Sequence, residues 1–303
     1  MFRRLAGSWQ LVKASAAVLS TDKALIVFPI VSTIGTLIVT LSFIIPMFFA
    51  GIFTHLIAGV QSGANYGSLA SAPNSSWWVF LPLAFLFYLV QYFVIFFANT
   101  ALVGAAMIRL QGGKPTVGAG FGIAFARIGP IFGYALISAT VGVILQFVRE
   151  RAGIVGQIAA GFLGPAWNVA TFLVVPILAI EQVGPIQAVK RSTELLKRTW
   201  GEQIIGNIGI GAVFGLLTFG VFILGAVGVA LGIAINSIPL VVVVVVLGVF
   251  ALVVLGLISA ALRGIYQAAV YRYATTGQLT PGFSAELVQG AFRQKRVRGP
   301  RLW

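Results

Sequence analysis

The chain has 303 residues, of which 59% are hydrophobic and 9% charged, whereas a soluble domain carries about 25% charged residues. Its 20 basic and 6 acidic residues give a formal net charge of +14, and it contains no cysteine and one histidine. These numbers exclude a water-soluble protein, a disulfide framework, a thiol nucleophile and a zinc site built within one chain. In a membrane protein, such a basic balance indicates anionic lipid as the partner and not nucleic acid.

The first two apolar blocks predict membrane spans on either side of a polar loop. They cover residues 24–53 and 77–108, and each is longer than the roughly 20 residues that a membrane-spanning helix needs. Residues 54–76 contain no Lys or Arg, so we expect this loop outside the cell. We interpret the glycosylation-like tripeptide Asn74-Ser75-Ser76 as part of that loop.

Four more apolar blocks complete an all-α, polytopic membrane helix bundle. We predict the remaining spans at residues 128–148, 152–180, 204–235 and 240–262. A tight turn, Asn236 to Pro239, joins the last two, and we expect Arg263 to begin a basic tail. The six spans are expected to form three hairpins. Residues 1–285 are predicted to be a single integral membrane domain, and residues 286–303 a basic cytoplasmic tail.

The basic residues predict the orientation of these spans. Six spans with both termini in the cytoplasm place 18 of the 20 Lys and Arg residues on the cytoplasmic side, as the positive-inside tendency requires. The exceptions, Arg149 and Arg151, flank Glu150. Either this run is a short outer hairpin whose arginines reach the lipid headgroups, or it belongs to a partly buried polar site with Asn168.

Two segments outside the spans carry apolar residues at steps of three and four, which predicts amphipathic helices. The stripes are Phe2, Leu5, Trp9, Val12, Ala16 and Leu19, and Ile186, Val189, Thr193, Leu196 and Trp200. Such helices either lie in the membrane interface with their cations on anionic lipid, or connect spans by packing on helix ends. The expected lipid or partner surface consists of Arg3, Arg4, Lys13, Lys190, Arg191, Lys197, Arg198, Arg293, Lys295 and Arg296.

Short internal repeats support three similar units, each with a surface helix and two spans. Lys13, Ser15 and Leu19 match Lys190, Ser192 and Leu196 at a shift of 177 residues. The ends of two even-numbered spans also match, because Ala105 to Arg109 corresponds to Ala268 to Arg272 at a shift of 163 residues. We expect a cysteine at position 192 to react with a thiol reagent from the cytoplasmic side.

Several stretches, taken together, resemble a known family. They are Trp9 to Ser15 with Asp22-Lys23, Arg109 to Thr116, Glu181 to Glu202, Tyr271 to Ala274 and Gly282 to Arg293. This pattern resembles an uncharacterised prokaryotic membrane family, domain of unknown function 6159, over nearly the whole chain. It is also distantly similar in plan to the YciC-like membrane proteins. The resemblance implies a fold and carries over no catalytic residue.

Catalytic motifs are missing from the sequence. It contains no His-Glu pair at metal-binding spacing and no Walker sequence, and the Gly118 to Gly122 run lacks the strand context of a nucleotide-binding fingerprint. We interpret that run as a loop. A Ser or Thr nucleophile would need a Lys, Glu181 or Glu202 as its base. We therefore expect no enzyme, no cofactor and no metal.

The glycine and proline residues of the fourth block allow a transport hypothesis. Gly161, Gly164-Pro165 and Pro176 lie near Gln157 and Asn168, and such interruptions can turn backbone carbonyls toward a cavity. Glycines four residues apart, which allow close helix packing, occur at Gly129 and Gly133, Gly211 and Gly215, and Gly228 and Gly232.

Our functional hypothesis is a non-enzymatic protein of the plasma (inner) membrane that acts as a lipid-interacting scaffold or accessory subunit. Its expected partners are anionic phospholipid and either a second copy of the chain or another membrane protein. The alternative function is a channel or transporter with a site near the third and fourth spans.

Overall fold

The computed structural model describes residues 2–49, 77–151, 153–200 and 209–278. Within these ranges the regular structure is helical and contains no strand, which confirms the predicted all-α class. The helices are α1 (Phe2–Thr21), a 3-10 turn (Lys23–Ile26), α2 (Val27–Phe49), α3 (Trp77–Leu110), α4 (Val117–Ala126), α5 (Ile128–Arg151), α6 (Gly153–Ala170), α7 (Val174–Ile180), α8 (Pro185–Trp200), α9 (Gly209–Ala234) and α10 (Ile238–Thr276).

In this part of the chain, 6 segments are long and apolar enough to cross a membrane. They are Lys23–Pro46, Pro82–Leu110, Ile128–Arg149, Gly156–Ile180, Val213–Ala234 and Ile238–Thr276. Each overlaps one predicted apolar block, so the six predicted spans are confirmed as candidate membrane helices. Their pairing into three hairpins and the division into a domain and a tail stay predictions, since residues 54–76 and 286–303 lie outside the described ranges.

A part of the buried core lies where α3, α7 and α10 meet. Leu102 of α3, Ile177 of α7 and Ile265 of α10 are fully buried. A Cβ atom added at Gly264 would lie 2.8 Å from Leu102 Cγ, so the missing side chain lets α10 approach α3 closely. By contrast, α9 and the first half of α10 expose large apolar side chains such as that of Phe222. That surface has the composition of one that faces lipid or another membrane helix.

A polar contact joins α2 to α3 at span depth. Gln91 Nε2 donates to Thr40 Oγ1 at 2.7 Å and to the Thr36 carbonyl oxygen at 3.3 Å. Hydrogen bonds of this kind hold neighbouring helices together in lipid, where water cannot replace them.

The sixth span is longer than predicted. Helix α10 runs for 39 residues to Thr276 and ends at Gly277, whose φ of 69° suits a glycine at the helix C-terminus. Arg263 therefore lies within a helix and does not begin a tail. The turn before α10 is confirmed, with Asn236 at a φ of 52°, while Pro239 lies in the first helical turn, where its missing N–H is not needed.

The loop predicted at Gly118 to Gly122 is wrong, because these residues lie in α4. Thr116 caps this helix by accepting a hydrogen bond from the Ala119 N–H at 3.1 Å. A Cβ atom at Gly120 would lie 2.8 Å from the Ala101 carbonyl oxygen and would collide with the Phe28 ring. The glycine therefore serves close packing of α4 on α3 and α2.

The fourth span is interrupted. It is one candidate span, as predicted, but it consists of two helices, because α6 ends at Ala170 and α7 begins at Val174. Pro176 explains the interruption, since a proline ring clashes with the carbonyl four residues earlier and cannot donate a helical hydrogen bond. Residues 171–173 form turns between the two helices.

Candidate membrane-surface site

Helix α8 is the strongest candidate for a functional surface, and its start is defined by local chemistry. Pro185 occupies the first helical position, where its fixed φ favours helix and its missing N–H costs nothing. The Gly184 N–H donates to Gln187 Oε1 at 3.2 Å, and the Ala188 N–H donates to the Gly184 carbonyl at 2.9 Å. These contacts define the first turn of α8, which begins five residues after the end of α7 at Ile180.

One face of α8 is buried in the protein. Ala188 and Ser192 are 0% exposed, and Leu195 and Leu196 are 2% and 1% exposed. The predicted apolar stripe is only partly confirmed, because Leu196 is buried whereas Ile186 is 62% exposed. The face that packs on the protein is thus turned toward Ser192, away from the centre of the predicted stripe.

The buried hydroxyl of Ser192 fills the interruption of the fourth span. It donates to the Ala170 carbonyl oxygen at 2.6 Å and accepts from the Leu173 N–H at 3.1 Å. Neither backbone group has its helical partner. The Val174 N–H, which would bond to the Ala170 carbonyl in a continuous helix, donates to the Thr171 carbonyl. The Val169 carbonyl, which would accept from the Leu173 N–H, accepts from the Phe172 N–H. The expected accessibility of position 192 to a thiol reagent is therefore wrong.

The opposite face of α8 is charged and exposed. It comprises Lys190, Arg191, Glu194, Lys197 and Arg198. The Arg191 guanidinium lies 3.5 Å from a Glu181 carboxylate oxygen, so this cation also has a partner within the protein. The remaining three basic residues form no ion pair within the described ranges. They are therefore available to a ligand or surface outside the chain.

Between the buried and the charged faces lies a second apolar strip. Ile186 is exposed, and Val189 and Thr193 are half-buried. Helix α8 therefore has three sides, of which one contacts the protein, one is apolar and accessible, and one is cationic. An interfacial helix anchored to a membrane protein needs this division.

Helix α1 shares part of this arrangement. Val12 is 8% exposed and Ser15 is 0% exposed, and α1 contacts α9 and α10. Lys13 Nζ lies 6.0 Å from the centre of the Trp9 ring, and Trp9 is 49% exposed. The side chains of Arg3 and Arg4 lie outside what the structure describes, as do Arg293, Lys295 and Arg296.

The ends of four spans meet in polar contacts that the sequence alone did not reveal. Asp22, before α2, pairs with Arg109 near the end of α3, with an Nε to Oδ2 distance of 2.9 Å. The Tyr271 hydroxyl donates to a Glu181 carboxylate oxygen at 3.0 Å. Arg272 Nη1 donates to the Leu110 carbonyl. The repeat of Ala105 to Arg109 at Ala268 to Arg272 was the signal that pointed to these ends.

In the candidate polar site near the third and fourth spans, the side chains that the structure describes are exposed. Arg149 and Asn168 are exposed, as are Gln146 and Gln157. The side chains of Glu150 and Arg151 are not among those described. In the described ranges no group of His, Cys, Asp or Glu side chains could hold a metal ion.

A groove of about 780 Å³ lies instead between α3, α9 and α10. We call it the α3–α9–α10 groove. Its polar lining includes Asn99, Arg263 and Gln267, and its apolar lining includes Phe222, Leu252 and Leu255. Sequence reasoning missed it because Arg263 was placed in a tail.

The comparisons with known proteins give a family and no activity. A model described as "Family of unknown function (DUF6159)" matches residues 79–282. No curated protein and no solved structure matches the chain. The match covers the region from α3 to the residues after α10, including α8 and the α3–α9–α10 groove.

Proposed function

The chain belongs to the family of unknown function DUF6159, and from that premise we propose that it is a non-enzymatic scaffold or accessory subunit of the plasma (inner) membrane that engages anionic phospholipid. The observation that carries the proposal is the three-sided helix α8. Its buried side is fixed to the fourth span through Ser192, while Ile186, Lys190 and Lys197 remain exposed.

Physical chemistry supports lipid as the partner of this surface. A basic residue near an anionic membrane surface contributes about 1 kcal/mol of attraction at physiological salt. Lys190, Lys197 and Arg198 lie on one accessible face beside an accessible apolar strip. Anionic headgroups and the upper acyl chains match this pair of surfaces, and the anchored helix loses little freedom when it binds them.

The proposed orientation places α8 and both termini in the cytoplasm. Asp22, Arg109, Glu181 and Tyr271 lie at the start of the first span and the ends of the second, fourth and sixth, and they make contacts in pairs. An even number of crossings between these positions is consistent with such contacts. Basic residues are concentrated near the same ends, which favours the cytoplasmic side.

The proposal includes no catalytic role. Glu181 is one of the residues that could serve a Ser or Thr nucleophile as a base. Its carboxylate accepts a hydrogen bond from Tyr271 and lies beside Arg191. These contacts support a structural role for Glu181 in joining α7, α8 and α10.

The alternative function, a channel or transporter near the third and fourth spans, stays a prediction. Its main support was the set of glycine and proline interruptions in the fourth span. Ser192 occupies the backbone groups that the interruption leaves, which favours an anchor for α8 over a solute pathway at that point.

The test measures lipid selectivity of the full-length protein in vesicles. Spin-labelled phosphatidylglycerol and phosphatidylcholine report, by electron paramagnetic resonance, the fraction of each lipid held at the protein surface. We expect wild type to prefer phosphatidylglycerol at low salt. Replacement of Lys190, Lys197 and Arg198 by Gln should remove about 1 kcal/mol of attraction per residue near the surface and reduce that preference.

Glu194→Gln is the matched control, because it changes the charge of the same exposed face in the opposite direction. It should leave the preference unchanged or increase it. Equal retention of both lipids by wild type would contradict the proposal. So would a solute flux through vesicles that contain the wild-type protein alone.

A further inference from the structure

The α3–α9–α10 groove has the size and lining of a site for one amphiphilic molecule. Its volume of about 780 Å³ falls in the range of small-molecule sites, roughly 300–1,000 Å³. Asn99, Arg263 and Gln267 contribute polar groups, and Leu252 and Leu255 contribute apolar ones. The groove is distinct from the exposed face of α8.

The order of these residues along α10 separates the polar from the apolar lining. Arg263 follows Ile238 by 25 residues, or about 38 Å of helix, which exceeds a hydrocarbon core of about 30 Å. Leu255 and Leu252 precede Arg263 and lie about 12 and 16 Å deeper along the helix axis. Arg263 is therefore at the level of lipid headgroups when the start of α10 is at the opposite boundary.

The charge of the groove also indicates its occupant. The Arg263 side chain is exposed and pairs with no carboxylate in the described part of the chain. Gln267, one turn later, is half-buried and lines the same groove. A guanidinium binds phosphate oxygens with two parallel hydrogen bonds, and an amide beside it supplies a further donor.

We propose that the α3–α9–α10 groove binds one anionic phospholipid. Its phosphate lies at Arg263, Gln267 and Asn99, and one acyl chain lies along Phe222, Leu252 and Leu255. The apolar half of the groove selects a phospholipid over a free phosphate ion, since a small anion would leave that half empty. This inference goes beyond the scaffold function, because it assigns a stoichiometric lipid to a defined site.

The first test counts lipids bound to the purified full-length protein by native mass spectrometry. Wild type should retain one phosphatidylglycerol at lipid ratios where phosphatidylcholine is lost. Arg263→Gln should weaken that retention about tenfold or more, which is the effect of losing a hydrogen bond to a charged group. Arg149→Gln is the control, because Arg149 is an exposed arginine of α5 that does not line the groove. This variant should retain the lipid as wild type does.

The second test fills the apolar half of the groove. Gly256 lines the groove, and a Cβ atom added there meets no atom within 4 Å. Gly256→Phe should therefore place a ring in the groove without a clash at its Cβ atom and should abolish phosphatidylglycerol retention. Gly248→Phe is the matched control, because Gly248 lies on the same helix in open space and is not a groove residue. Unchanged melting temperatures show that each variant is folded.

Three results would overturn the proposal. They are equal retention of phosphatidylcholine, loss of the lipid on addition of inorganic phosphate with no effect of Gly256→Phe, and wild-type retention by Arg263→Gln. Neutral replacements on α8 should leave this retention unchanged, so failure of the scaffold function and failure of the groove site are distinguishable.

Discussion

The Ser192 hydroxyl joins two backbone groups that the interruption of the fourth span leaves without helical partners. Ser15, its counterpart in the sequence repeat, is also 0% exposed, but its Oγ has no hydrogen-bond partner in the described ranges. The two serines therefore occupy equally buried sites with opposite hydrogen-bonding states. They provide a matched pair for measuring what the Ser192 contacts contribute to stability.

We predict that Ser192→Ala destabilises the protein by about 1–3 kcal/mol, because it leaves a buried carbonyl and a buried N–H unsatisfied. Ser15→Ala should be close to neutral, since it removes a hydroxyl without a partner. Unfolding in a sodium dodecyl sulfate titration measures both variants. Equal losses of stability for the two would show that the Ser192 hydrogen bonds contribute nothing specific.

At the scale of elements, helix α4 shows why glycine-rich runs are difficult to interpret from sequence. The run that contains Gly118, Gly120 and Gly122 was predicted to be a loop, yet Thr116 caps a helix that contains all three. Only Gly120 approaches other elements closely, at Phe28 and the Ala101 carbonyl. Which glycine matters depends on the positions of α2 and α3, and those positions are not encoded in the local pattern.

We predict opposite effects of alanine at two of these glycines. Gly120→Ala should cost about 1–3 kcal/mol, because the added methyl group collides with backbone and with a buried ring. Gly122→Ala should stabilise by up to about 1 kcal/mol, because alanine favours helix and no atom lies within 4 Å of the new methyl group. Thermal unfolding of both variants in one detergent is the measurement, and a less stable Gly122→Ala would contradict the packing of α4.

Helix α8 shows a second limit of sequence periodicity. Its apolar residues and Pro185 correctly predicted an amphipathic helix. The hydrophobic pattern alone could not show that Ala188 and Ser192, a small and a polar residue, form the buried face. Ser192 is buried where its hydroxyl bonds to the Ala170 carbonyl and the Leu173 N–H, and the need for such a hydroxyl arises from the interruption of another helix.

At the scale of the whole molecule, the six spans were predictable because their length and composition depend on the thickness of the bilayer. The polar contacts at their ends were not, because Asp22 and Arg109 are 87 residues apart and meet only in the folded bundle. The groove was missed for a related reason. An arginine after an apolar block is typical of a span end, and the continuation of α10 to Thr276 depends on packing against α3 and α7.

The predicted topology is best tested at positions that the structure shows to be exposed. The chain has no native cysteine, so a single Glu194→Cys replacement on the charged face of α8 can be labelled cleanly. It should react with an impermeant thiol reagent only after the membrane is opened. Ser71→Cys, in the predicted outer loop, should react in intact cells. Labelling of Glu194→Cys in intact cells would exclude a cytoplasmic α8.

The Ser192 contacts also have a consequence for the order of events during synthesis. Ser192 follows Leu173 by 19 residues and Ala170 by 22, so the ribosome adds it about 1–4 seconds after them at typical elongation rates. Until α8 packs against the fourth span, these two backbone groups have no hydrogen-bond partner within that span, and each such group costs about 1–3 kcal/mol when it is buried. We therefore expect α7 to pack stably beside α3 only once α8 is in place, so that the basic helix completes this part of the protein.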